Sequence, residues 1–340
     1  MTQEKKQSKL KKALLMIVPI LILAAVMYFM FRNNYKEIIE GLTNANLGYL
    51  LVMIIMGLGY YCLDAIPFMT LIKRCMPNFR FIDTLGMLFI GIFLNVTTMG
   101  AGIKPGEAFY LYKKGGDLGE SVGHLILPYN YHKTAIMLFA TIMLIFQGDF
   151  IRETFTDSYH YLYAGYGMTV AIVLALILMV VSKTFHKIVF WPLDRMFKTG
   201  KWYERKESWS KYVGNLREES RDVVRDWGLT FKLIGVDLVK MLVWYVMPYI
   251  AYYAVCGTPP AFTLIEIIAA AAFMQLIVGA IPNAGGMGTA EVVYTLIFSV
   301  LYGDVVAGTT MVLFRFATYY LPVLISIVVM GRVSRYLYKD

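Results

Sequence analysis

Residues 97–108 and 280–291 each end an apolar stretch with a glycine-rich break, and no feature of the chain constrains its fold more. The first reads Thr-Thr-Met-Gly-Ala-Gly-Ile-Lys-Pro-Gly-Glu-Ala and the second Ala-Ile-Pro-Asn-Ala-Gly-Gly-Met-Gly-Thr-Ala-Glu. Both carry one proline and finish on or next to a glutamate, Glu107 and Glu291. Backbone that leaves the helix inside a bilayer loses its internal hydrogen bonds, and it persists only where protein or a water-filled cavity replaces them. One such break in each half of a chain points to a binding site near the middle of the membrane.

The membrane setting follows from composition. Of 340 residues, 58% are apolar and the mean hydropathy is +0.59, too little polar surface for a soluble domain of this length. Apolar runs at about 13–31, 47–72, 122–146, 161–182, 229–255 and 304–330 approach the ~20 residues that cross ~30 Å of hydrocarbon. Two shorter runs, about 85–99 and 263–281, lead into the glycine motifs. The first run follows Lys5, Lys6, Lys9, Lys11 and Lys12 and has no Ala-x-Ala before Phe31 and Arg32, so it is expected to stay as a signal anchor. Cys62, Cys75 and Cys256 stand far apart and read as small apolar residues. The net charge of +9 is no nucleic-acid signal, because the cations flank the spans where topology and anionic headgroups account for them.

Cationic loops remain in the cytoplasm. Residues 1–12, the loop with Lys73, Arg74 and Arg80, the segment 183–228 with its eleven Lys or Arg, and the tail with Arg332, Arg335 and Lys339 are therefore inside. The 32–46 loop is balanced, and the 147–160 loop is acidic through Asp149, Glu153 and Asp157; both fit outside. Both chain ends are then cytoplasmic, in a multi-pass protein of the plasma membrane. By parity, 85–121 returns to its own side and 263–303 returns to the other. The expected fold is an all-α polytopic membrane protein with six full spans plus two oppositely oriented re-entrant hairpins forming an inverted-topology repeat. Residues 1–340 make one integral-membrane domain, with a first repeat at 47–146 and an inverted second at 229–330. The spans at 13–31 and 161–182 are peripheral. Three full crossings in place of a hairpin also satisfy parity, but 85–99 is short for a span. The 183–228 segment, with Trp202, Trp209 and Trp227 among cations, reads as a cytoplasmic amphipathic connector on the headgroup layer.

Ionisable side chains within spans cost on the order of 2.5–3.5 kcal/mol each on insertion scales, so they need partners or a wet cavity. They are Asp64, His124, His132, Lys133, Asp237, Lys240, Glu266 and Arg315, with Lys104, Glu107 and Glu291 in the motifs. Asp237 and Lys240, three apart, neutralise each other on one helix face, with Lys240 able to snorkel. Asp64 is open between a local cap and a functional group. His132 and Lys133 after Tyr129-Asn130-Tyr131 form a polar band suited to a headgroup, and one histidine with one lysine makes no metal site. Arg315 pairs with Glu291 or Glu107, or receives an anion such as phosphate on its planar fork. Gly106 and Gly288 stand where returning half-helices would begin, where free N–H groups attract an anion or are capped by the glutamates. Gly285 and Gly286 complete the second break. No phosphate-binding loop, nucleotide fingerprint or nucleophile–histidine set is present, and no cofactor is implied.

With these motifs in view, the chain resembles the lysylphosphatidylglycerol synthase transmembrane family, the membrane region of the multiple peptide resistance factor, along essentially its whole length. The residues that carry the resemblance are Lys104-Pro105-Gly106-Glu107 with Leu111-Tyr112 and Gly115-Gly116, and Pro282 through Glu291 with Gly303 downstream. Members often place an arginine three residues after the Gly-Glu pair, where this chain has Tyr110, with Lys113 and Lys114 near. The resemblance implies a lipid translocase that moves aminoacylated phosphatidylglycerol to the outer leaflet. In the resistance factor a separate soluble domain makes that lipid, and none is expected within the sequence to Asp340. Stand-alone members are associated with glycolipid or polyprenyl-lipid pathways. The expected partners are a membrane lipid with a charged headgroup and a separate lipid synthase, with no nucleic acid; a homo-oligomer is compatible. The substrate-binding set is Lys104, Gly106, Glu107, His132, Lys133, Gly285, Gly286, Gly288, Glu291 and Arg315. Two other readings stand beside the flippase: a membrane-embedded lipid-modifying transferase, for which no donor site is seen, and a lipid-binding scaffold.

Overall fold

The computed structural model describes residues 35–116, 118–156, 159–181, 225–281 and 288–337, with side chains of 118–124, 179–181 and 334–337 left aside. The first apolar run, most of the 183–228 connector, and Gly285 and Gly286 lie outside the described residues. Within them the secondary structure is helical: α1 Tyr35–Thr43, α2 Leu47–Ile72, α3 Phe81–Thr97, α4 Ile103–Lys113, α5 Leu118–Thr154, α6 Tyr159–Val181, α7 Trp227–Cys256, α8 Leu264–Ala280, α9 Thr289–Tyr302, α10 Asp304–Arg315, a π-helical turn Phe316–Tyr320, and α11 Leu321–Leu337. Five stretches are long and apolar enough to cross a membrane: Leu47–Ile72, Leu125–Thr154, Tyr159–Leu178, Trp227–Cys256 and Asp304–Val333.

Their surfaces agree with that setting. Leu47, Leu51 and Ile55 on α2, Ile145 and Phe146 on α5, and Leu324 and Val328 on α11 are exposed, a pattern that water would penalise and acyl chains would not. By contrast α8 is buried on every side from Ile267 to Met274, including Ala269–Ala272. It is apolar all round because it is surrounded, by α5, α6, α7 and α9. The alanines let those neighbours approach closely.

α2 and α7 form the most extensive helix pair and run antiparallel. The Asn46 N–H at the start of α2 donates to the Ala254 carbonyl near the end of α7 at 2.7 Å. Near the other end of the pair, Asp64 meets Lys240. α3 leaves the end of α2 and α8 leaves the end of α7, so these two helices start at opposite ends of the bundle. The packing is reciprocal. α3 lies against α11, as α8 lies against α5; α2 touches α5, as α7 touches α10. α1 and α6 stand outside that exchange, on α10 and on α5 with α8.

α3 and α4, 17 and 11 residues, pack on each other across the turn at 98–102. The turn satisfies its own backbone. Gly100 donates to the Asn95 carbonyl at 2.9 Å, and Thr98 Oγ1 accepts from the Gly102 N–H at 2.6 Å while donating to the Leu94 carbonyl at 2.6 Å. Met99 (φ 52) and Gly100 (φ 91) turn the chain through the left-handed region. At the open end Lys114 Nζ reaches Asp83 Oδ1 at 2.9 Å, so both ends of the pair lie together. Burial alone would raise the Asp83 carboxyl. Hydrogen bonds from Lys114 and Arg80 more than offset that and hold it below the usual carboxylate range.

Three features depart from the sequence reading. The 32–46 loop contains α1, whose buried Ile38 anchors it. α5 extends to Thr154 through a break at Gln147 (φ −129, ψ 17), so the connection after it is short. The span from Asp304 carries the π-helical turn directly after Arg315. Such turns shift helix register and free backbone carbonyls. Here Tyr61 on α2 donates to the Thr318 carbonyl at 3.1 Å.

Candidate functional site

Both glycine breaks bring a glutamate into the bundle, and both glutamates are dry. Glu107, one turn into α4, is 3% exposed, and its Oε2 takes a 2.8 Å hydrogen bond from Lys104 Nζ. Its other oxygen rests against α3 at Gly91, where a Cβ would come to 2.5 Å. Lys104 remains partly open to solvent, with its ammonium 5.1 Å from the centre of the Phe68 ring on α2. Glu291, in the first turn of α9, is fully buried and accepts from Arg315 Nε at 2.7 Å. Arg315 stacks over Tyr319 at 4.1 Å, and the Tyr320 hydroxyl accepts a hydrogen bond from it. Neither glutamate caps its helix: the N-caps are Gly102 and Gly288, and neither offers a side chain. Gly288 sits at φ 85 at the helix start, as its place in the motif requires. Gly106 does not. α4 begins at Ile103, and Gly106 instead makes room for the Leu94 side chain of α3.

Between these tips lies a third charged group. Lys240 is completely buried, does not snorkel, and joins two carboxylates. It meets Asp237 on its own helix and Asp64 Oδ1 on α2 at 2.6 Å. Its ammonium is 5.6 Å from the Tyr60 ring centre. His132 Nδ1 on α5 stands 4.0 Å from Asp237 Oδ1. Beside it, Lys133 reaches the end of α8, with its Nζ 3.5 Å from where a Cβ on Gly279 would sit and 5.6 Å from the Tyr129 ring centre. No carboxylate lies within ion-pair distance of Lys133 among the described residues. Lysine near a helix C-terminus is favoured by the carbonyl dipoles there.

The structure thus brings together Lys104, Glu107, His132 and Lys133 around the α2–α7 pair, and places Glu291 with Arg315 on a neighbouring face. Tyr61 connects the two, within electrostatic reach of both Asp64 and Arg315. Gly285 and Gly286 are not described. The sequence reading underrated Asp64, whose partner lies 176 residues away, and did not single out Tyr60, Tyr61 or Tyr319. An acid and a tyrosine pair on one apolar span was the available signal. Tyr110, in the place where an arginine often stands, is buried beside Lys114, 5.7 Å from its ammonium, and does not point at the central charges. No cluster of three or more His, Cys, Asp or Glu is arranged to hold a metal ion among the described residues.

The arrangement offers paired charges in a low-dielectric interior, where each ion is retained only by its partner. The family described as Lysylphosphatidylglycerol synthase TM region matches residues 16–326. No curated protein and no solved structure matches the chain. With a match over most of its length and several helices able to cross a bilayer, the chain is a multi-pass membrane protein that belongs to the lysylphosphatidylglycerol synthase transmembrane family.

Proposed function

We propose that the protein is a flippase: it moves a phospholipid or glycolipid with a charged headgroup, such as aminoacylated phosphatidylglycerol, between leaflets of the plasma membrane. In this reading residues 47–146 and 229–330 are inverted repeats, both chain ends are cytoplasmic, and 183–228 is the cytoplasmic connector. The α3–α4 and α8–α9 pairs are re-entrant hairpins. Three observations support the hairpins. α3 and α8 start at opposite ends of the bundle, the Lys114–Asp83 contact closes the open end of the first pair, and helices of 11 and 14 residues span only about 16 and 21 Å. The reciprocal packing supports the repeat.

One observation carries the proposal further. Of the cations within the bundle, Arg315 and Lys104 are held by glutamates and Lys240 by aspartates, while Lys133 faces no carboxylate among the described residues. It stands beside the second glycine break. Lys133 therefore receives the lipid phosphate, and Arg315 and Lys104 exchange their glutamates for it as the headgroup passes. Glu107 and Glu291 are then free for a headgroup amine. His132 and the backbone at Gly288 line the route, and acyl chains remain in the bilayer. A separate lipid synthase supplies the substrate.

The test is leaflet exchange of fluorescent phosphatidylglycerol in proteoliposomes. A charge-assisted contact is worth about 1.5–3 kcal/mol, so Lys133→Ala should slow exchange about ten- to a hundredfold at subsaturating lipid. Wild-type rates in both Lys133→Ala and Arg315→Ala would remove these residues from the route.

A further inference from the structure

Charge counting singles out the central group. Lys104 balances Glu107, and Arg315 balances Glu291. Lys240 alone faces both Asp64 and Asp237, which leaves one negative charge over. The Asp237 and Lys240 side chains are each 1% exposed, and apart from its contact with Lys240 the Asp237 carboxylate accepts no hydrogen bond among the described residues. An uncompensated buried charge costs several kcal/mol, so the group is complete only with one more positive charge. No further cation makes an ion pair with the group among the described residues, although Lys133 and Lys104 stand within electrostatic reach of His132. Lys133 turns to α8, Lys104 lies over Phe68 with Glu107, and Arg315 is reached only through Tyr61. Glu266 on α8 caps its own helix start, at 2.6 Å from the Thr263 N–H, and Asp83 on α3 is engaged by Lys114. His132 Nδ1, buried and without a hydrogen-bond partner, is the open position next to Asp237.

We infer that Asp237 and His132 form a binding site for one transported proton, coupled to lipid movement through Lys240 and Asp64. The inference rests on the flippase reading above. The geometry suits such a relay. Buried Asp237 and Lys240 sit between two partly exposed groups, His132 (21% exposed) and Asp64 (24%). Asp237 lies about 15 Å from the start of the 30-residue α7 and Asp64 about 12 Å from the end of the 26-residue α2, about a third of the way along each helix. A proton that binds between the Asp237 carboxylate and His132 Nδ1 neutralises the cluster, and its departure restores the negative charge. Lys240 then shifts its balance between Asp237 on one repeat and Asp64 on the other. α2 and α7 are the pair through which the two halves make their largest contact, so this shift acts where the halves would move. One proton enters from one aqueous side and leaves to the other, and nothing else is made or broken.

The experiment measures the steady-state leaflet ratio of fluorescent phosphatidylglycerol in phosphatidylethanolamine–phosphatidylglycerol proteoliposomes, with membrane potential clamped by potassium and an ionophore. One proton per lipid sustains about a tenfold ratio per pH unit at full coupling. Wild type should build that ratio, while Asp237→Asn and His132→Gln should relax to the ratio found without a gradient. Using two variants guards against one that does not fold, and size-exclusion profiles confirm the others. Wild type that exchanges lipid but ignores the pH gradient, or follows a sodium gradient instead, overturns the inference and leaves the flippase standing. Wild type that exchanges no lipid overturns the flippase reading and this inference with it.

Discussion

The two glycine breaks lead to the same residue type, yet they secure their glutamates differently. Glu107 is neutralised by Lys104 from its own helix, and that lysine keeps one side toward solvent. Glu291 is neutralised by Arg315 from the next helix, and both partners are buried. Breaking the first pair leaves an ammonium that water can receive, whereas breaking the second strands a guanidinium among tyrosines. The first tip is thus free to rearrange at small cost. The second is a lock that opens only when something else meets both charges.

Substitutions can break or sharpen that contrast. Glu291→Gln should have the largest effect, on the order of 3–5 kcal/mol lost to thermal unfolding in detergent, because it leaves Arg315 buried without its carboxylate. Glu291→Leu with Arg315→Met should recover most of it; no recovery would mean that the pair is not what holds the second tip. Gly57→Ala comes next, at about 1–3 kcal/mol. The new Cβ runs into the Ala317 carbonyl of the π-helical turn, which is backbone and cannot step aside. Gly91→Ala should cost about 1 kcal/mol, since the atom it meets is the far end of the Glu107 side chain. Equal losses at these two glycines would erase the difference between the rigid backbone beside Arg315 and the yielding side chain of Glu107.

Glu107→Gln should lose less still, under about 1 kcal/mol, as expected for a pair with a solvent-facing lysine. A loss matching that of Glu291→Gln would end the comparison. The smallest effect belongs to the mouth of the first pair. Because the folded Asp83 carboxyl lies below its ordinary value, its contribution is present above that value and disappears as pH falls through the lowered one. The melting difference between wild type and Asp83→Asn should therefore shrink below about pH 4. A difference that widens there would assign Asp83 the opposite role.

Much of this was legible one residue at a time. The 47–72 helix has the bounds that its apolar run suggests, and the helices stop at 97 and 280 where the glycine motifs begin. Arg315 with Glu291 and Asp237 with Lys240 are partners that cost alone proposes. What escaped depends on distant packing. Asp64 reaches Lys240 only because α2 lies antiparallel on α7, and no local period encodes that. The start of α4 falls at Ile103 rather than at Gly106, with Pro105 in the first turn, where proline is tolerated. The π-helical turn has no sequence signature here beyond Arg315 followed by aromatics.

Depth is the most direct test of the account. With Cys62, Cys75 and Cys256 replaced, spin labels at Ala101→Cys and Thr289→Cys in proteoliposomes should both report positions near the bilayer midplane and both relax with a water-soluble paramagnet. A label at either tip that reads as bulk solvent, or one at midplane depth that no aqueous probe reaches, would contradict two oppositely inserted tips lining a wet route.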